Sequence, residues 1–219
     1  MYRALAVILI ALAGRAEIID RAVMTVGRQV VTELELEEEI RVTAFFNQVS
    51  PADNIAQRRA AADRLVQQLL VAREMRLSHY PVPSETDIQS AFARIRDLYK
   101  NQRDFESALA RCSLDTNVVK RHLAQQIATL HFIEYRFRPE LGISEADLQN
   151  RYNRGLAAWG TDHPGVPSLS FDARRDSIRS ALIAERTDQA LENWLRETRK
   201  QIRVTYLEKD LHDAEASGG

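Results

Sequence analysis

A two-stranded hairpin is marginal in water without a third strand or a helical layer to cover it. The stretch "IIDRAVMTVGRQVVTE" reads as such a hairpin at the head of an otherwise helical chain. Ala22, Met24 and Val26 fall on one face at period two, and Gly27-Arg28 supply a two-residue turn with glycine first. Gln29 to Val31 return, and Thr32 opens "TELE", a capping box that starts a helix at Glu33. A partner for the hairpin is therefore required. "IRVTYL", residues 202–207, alternates apolar and polar as a strand does. Its pairing with the hairpin would close both ends of the chain into one unit.

What lies between has the periodicity of helices. In "SPADNIAQ", Ser50 serves as cap, Pro51 takes the first turn and Asp53 favours the helix N-terminus. Ile55, Ala62, Leu65, Val66, Leu69, Leu70 and Met75 then form one apolar face. "HYPVP" ends that helix, and Ser84 caps the next, with Ile88, Ala91, Phe92, Ile95, Leu98 and Tyr99 inward. A short helix covers "DFESALARC". A long one follows, facing inward through Val119, Leu123, Ile127, Leu130, Ile133 and Phe137. Ser144 caps a short helix through Leu148 and Tyr152. Residues 155–170, "GLAAWGTDHPGVPSLS", carry the turn residues of a linker. The helix after it, "SFDARRDSIRSALIAERTDQALENWLRETRKQ", has an apolar stripe of Ile178, Leu182, Leu191, Trp194 and Leu195. The reading is a mainly α protein with a small antiparallel sheet, residues 17–154 and 171–207 forming one domain and 208–219 a frayed tail.

Charge and motifs narrow the function. With 30 basic and 31 acidic residues, there is no electrostatic case for nucleic acid. Arg3, the apolar run at residues 4–13, and the small residues Gly14 and Ala16 describe a secretory signal peptide over residues 1–16. The run is shorter than the ~20 residues a bilayer-spanning helix needs, so no membrane anchor is expected after cleavage. No cysteine follows the site for lipid attachment. A buried N-terminal helix is the competing reading. Cys112 is the single cysteine, which rules out an intramolecular disulfide. Arg111 alone is a weak activator, and a small buried side chain is the plainer account. His79, His122, His131, His163 and His212 are scattered, and no HExxH, CxxC, GxSxG or glycine-rich phosphate loop occurs. Neither metal nor cofactor is expected, and no catalytic residue is assigned. "ELELEEEI" reads as the solvated face of a helix.

Laid out in order, these segments resemble the SurA-type periplasmic chaperones. "IIDRAVMTVGRQVVTELELEEEI" is similar to that family's first mature segment, and "RLVQQLLVAREM" to its second-helix pattern. "PVPSETDIQSAFARI", "FESALARCSLDTNVVKRHLAQQI" and "RPELGISEADLQNRY" resemble the segments that follow, and "LENWLRETRKQIRVTYL" the closing helix and strand. Family members carry parvulin-type prolyl isomerase domains in the middle. Here residues 152–170 leave no room for one, since an independent domain needs roughly 50 residues or more. The resemblance implies a SurA-N-like fold related to the C-terminal chaperone domain of trigger factor. It also implies a non-enzymatic, periplasmic cradle for unfolded clients, outer-membrane proteins among them. A divergent prolyl isomerase and an assembly subunit with one fixed partner are the alternatives. Large adaptable side chains suit a client surface. The candidates are Phe45, Phe46, Met75, Tyr99, Tyr135 and Trp159, each of which also reads as core. Phe45 and Phe46 are adjacent on one helix, so they cannot both point into one core.

Overall fold

The hairpin forms where the alternation places it. β1 (Ala22–Val26) and β2 (Gln29–Thr32) pair antiparallel, and β3 (Val204–Tyr206) lies antiparallel on the other side of β1. The order is β2-β1-β3, so the chain's late strand completes the sheet opened at its beginning. Gly27 takes φ +60°, as a two-residue turn with glycine first requires. Its N–H donates to Arg203 O at 2.8 Å, and Leu207 N–H donates to Val23 O at 2.8 Å, fastening β3 at both ends. Strict alternation predicts Met24 inside and Val23 outside. Both are fully buried, because the register slips between Ala22 and Met24, a bulge that turns two successive side chains inward.

The computed structural model describes residues 20–78, 80–137, 142–162 and 169–212. The expected signal peptide (residues 1–16), part of the expected linker (163–168) and residues 213–219 of the expected tail lie outside the described residues. The helices begin at side-chain caps. Thr32 and Glu35 form the capping box of α1 (Glu33–Phe46). α2 (Ile55–Ser78) is capped by Asn54, not Ser50: Gln57 N–H donates to Asn54 Oδ1 at 3.0 Å. Asn is as good a cap as Ser, and it stands immediately before the apolar run. Ile55, now at the first helical position, is half exposed and off the core face. Ser84 caps α3 (Glu85–Arg96), Asn101 caps α4 (Gln102–Arg111) and Asp115 caps α5 (Thr116–Arg136). Ser144 sits before α6 (Glu145–Asp162), its N–H and hydroxyl donating to Asp147. Hydrogen bonds from Ser84 and Ser144 hold Asp87 and Asp147 below the usual carboxylate range. Ser170 caps α7 (Phe171–Gln201), and α8 (Lys209–His212) is a single turn. α6 continues past Tyr152 to Asp162, so the first half of the expected linker is helix. Good helix formers in "LAAW" outweigh the ~1 kcal/mol that Gly155 costs there.

α1 and α4 end on the same device. Val49 N–H reaches Ala44 O and Gln48 N–H reaches Phe45 O, both at 3.0 Å, with Gln48 at φ +56°. Leu114 N–H to Leu109 O and Ser113 N–H to Ala110 O repeat this at 3.0 Å, with Ser113 at φ +51°. Both are Schellman endings with a side chain where glycine is usual. Relief of the left-handed strain exceeds the entropy glycine adds to the unfolded chain. Gln48→Gly is therefore expected to stabilise the protein by about 0.5 kcal/mol, read as a raised denaturation midpoint at unchanged slope.

Three apolar clusters hold the elements together. The sheet, Leu36 and Ile40 of α1, Ala61, Ala62, Val66 and Leu70 of α2, Ile202 and Leu211 form the first. Phe45, Phe105, Leu109, Cys112, Val119 and Leu123 form the second, which joins α1, α4 and α5. Burial pushes the Cys112 thiol up, as an inert core cysteine requires. Val71, Phe132 and Phe137 form the third, with Trp194 and Leu195 of α7 against them. α7, with 31 residues, is about 46 Å long. Its C-terminal half packs on α2, and its N-terminal half pairs with α6. Besides Ile55, two residues of the expected inward faces are exposed: Leu98, beyond the end of α3, and Leu130 of α5.

Candidate functional site

The largest departure from the expected helix faces lies where α1, α2 and α5 meet. α1 contributes Glu39, Val42, Thr43 and Phe46, spaced three and four apart and so on one face. α2 adds Arg64 and Gln68 at the same spacing, and α5 adds His122, Gln125, Gln126, Thr129 and Leu130. Together with Asn47 they line a groove of about 490 Å³. Phe46 and Leu130 supply the apolar surface, Leu130 being 59% exposed, with Val42 buried behind them. Most of the remaining lining is amide or hydroxyl.

The groove's charges are spent on one another. Glu39 is buried, with Oε1 accepting from Arg64 Nε at 2.7 Å and from Thr43 Oγ1 at 3.2 Å. Its Oε2 accepts from Gln68 Nε2 at 3.2 Å, and Gln125 Nε2 donates in turn to Gln68 Oε1 at 3.1 Å. Beside it, Glu38 pairs with Arg121 at 2.7 Å and with His122 Nε2 at 3.0 Å. Burial pushes Glu38 up, but the hydrogen bonds from Arg121 and His122 outweigh it and leave the carboxyl below its ordinary range. The acidic run read as a solvated face thus buries one member, Glu39, and half-buries Glu38. A paired floor of this kind presents no uncompensated charge to whatever lies in the groove. It can grip an extended segment by apolar contact and offer amides to its backbone.

Of the six candidate residues, Phe46 lines this groove. Phe45 is 1% exposed and belongs to the core, with ring centroids 6.1 Å from Tyr99 and 6.0 Å from Phe105. It offers no surface to a ligand, because α3 and α4 close over that side of α1. Tyr99 is half-buried in the same aromatic cluster, and Met75 packs against Phe132 and Phe137. Tyr135 is exposed, edge-on to Tyr80 at 5.9 Å. Trp159 lies apart on α6 under the Arg174 guanidinium at 5.4 Å. Val42, Gln68, Gln125, Gln126 and Leu130 were not candidates from sequence. The amide and hydroxyl spacing along α5 is a visible signal, but a solvated face carries the same pattern.

Among the described residues, no group of three or more His, Cys, Asp or Glu side chains could hold a metal ion. No helix among them is long and apolar enough to cross a membrane. The chain matches no protein-family model and no curated protein.

Proposed function

We propose that this protein is a non-enzymatic chaperone module of the SurA type, with a SurA-N-like fold. It acts in the periplasm after removal of residues 1–16 and holds unfolded polypeptides, outer-membrane proteins among them, in the groove between α1, α2 and α5. The observation that carries the reading is the lining itself: Phe46 and Leu130 beside a floor whose charges are already paired. A client of varied sequence needs apolar contact and backbone-directed amides more than a fixed charge pattern. The segment order that resembles the family supports the same reading. So does the short stretch where its isomerase domains would stand.

The test follows light scattering as an unfolded outer-membrane protein aggregates in the presence of the purified protein. Near-stoichiometric suppression is expected, and Phe46→Ala with Leu130→Ala should weaken it at least about tenfold, from roughly 1.5 kcal/mol lost at two partly exposed side chains. Phe45→Ala is unsuitable, since emptying a core position costs about 3–5 kcal/mol and would unfold the reporter. Failure to suppress several unrelated clients would overturn the reading in favour of one fixed partner.

A further inference from the structure

A second concavity shares no residue with the client groove and has the opposite character. It lies where the β1–β2 turn, α2 and the corner between α7 and β3 come together, and it measures about 320 Å³. Its floor is Val26, Leu69, Leu70 and Ile202; its rim is Arg28, Arg73, Arg76 and Arg203, with Gln29 and Gln201. No carboxylate of the described residues lines it. All four arginines are exposed, and none pairs with an acid among the described residues. Other arginines are paired, as at Arg58, Arg64, Arg121 and Arg186, while Arg94 and Arg103 are exposed without an ion pair among the described residues but do not line this depression. Four unpaired guanidiniums around one depression, in a chain of net charge −1, form a local positive field without internal compensation.

We infer that this depression is a binding site for a phosphate-bearing ligand, contacted by Arg28, Arg73, Arg76 and Arg203. A single carboxylate has one charge and two oxygens for four guanidinium forks. A phosphate monoester brings up to two charges and three terminal oxygens, and guanidinium forks match its geometry bidentately. The size is at the lower end for small-molecule sites, which suits a compact headgroup and not an extended polypeptide. The apolar floor would meet the organic part of such an ester. The shared chemistry is the phosphoryl group, whether free in solution or on a phospholipid. The inference is independent of the proposed client groove.

The experiment uses the full chain at low ionic strength, with two probes. Pyrophosphate is titrated calorimetrically, and phosphatidylcholine vesicles with and without phosphatidic acid, a lipid phosphomonoester, are tested by co-sedimentation. Arg73→Gln with Arg76→Gln is compared with Arg94→Gln plus Arg103→Gln, exposed arginines outside the depression that remove the same net charge. The expected result is binding to at least one probe, weakened at least about tenfold by the first pair and little changed by the second. Pyrophosphate binding identifies a soluble phosphoryl group, and sedimentation only with phosphatidic acid identifies a lipid headgroup. Absence of binding to both probes, or equal weakening by both arginine pairs, would overturn the site. The melting curves of both variants should match the parent, since all four side chains are exposed.

Discussion

Truncation after Gln201 is expected to abolish the cooperative thermal transition. The cut removes β3, and with it the pairs Met24–Tyr206, Thr25–Thr205 and Val26–Val204. It also removes Ile202 and Leu211, both buried in the cluster beneath the sheet. Burial of two such side chains is worth about 2 kcal/mol each. The bonds from Gly27 N–H to Arg203 O and from Leu207 N–H to Val23 O contribute about 1 kcal/mol apiece. The sum, on the order of 6 kcal/mol, matches the whole stability of many domains. What remains of the sheet is a lone hairpin, marginal by itself. Circular dichroism should show helical signal decaying without a sigmoid. A sharp transition in the truncated chain would mean that α1, α2 and α5 are stable without the sheet.

The same strand explains why so much of the framework could be read from sequence. Period-two alternation, glycine at the first turn position and a Thr-x-x-Glu box are local signals, and each acts within a few residues of itself. The caps at Ser84 and Ser144 are equally local. "IRVTYL" has only local alternation to declare it, but an unpartnered hairpin far upstream supplies the reason to pair it. Glu39 is different. Nothing in "ELELEEEI" separates it from its neighbours, because its partners are Arg64 and Gln68 on α2 and His122 on α5. α1 is covered from two sides, so its buried face is wider than one apolar stripe suggests. The groove depends on that same packing of three helices, and no single segment encodes it. Adjacency on one helix did not keep Phe45 and Phe46 apart: Phe45 is buried beneath α3 and α4, and Phe46, edge-on to it at 5.7 Å, packs against the same cluster while still lining the groove. Ser50 lost its capping role to Asn54, an equally good cap that stands immediately before the apolar run.

Arg58→Met is expected to destabilise the protein by about 3 kcal/mol, through charge more than through packing. Arg58 is the centre of a network that ties the end of the chain to its beginning. Its Nη1 meets Glu33 Oε1 at 2.7 Å, and its Nη2 meets Glu33 Oε2 at 2.9 Å and Glu208 Oε2 at 2.6 Å. Arg21 bridges the same two glutamates from the more exposed side. With Arg58 gone, two half-buried carboxylates face one another with only Arg21 between them. Adding Glu33→Gln and Glu208→Gln to Arg58→Met should restore most of the loss, since a network removed whole costs far less than one broken. The pH dependence gives an independent reading. Chiefly the hydrogen bond from Arg58 holds Glu33 below its ordinary carboxylate value, against a smaller opposing effect of burial. A carboxyl depressed in the folded state contributes stability that is complete above its unfolded pKa and disappears as pH falls through the folded one. The parent protein should therefore lose stability below about pH 4.5, and the triple variant should lose less over the same range. Denaturant midpoints measured from pH 7 downward decide the matter. If parent and triple variant lost stability in parallel, the acid sensitivity would belong to other carboxylates, and the network would hold the chain's end by geometry alone.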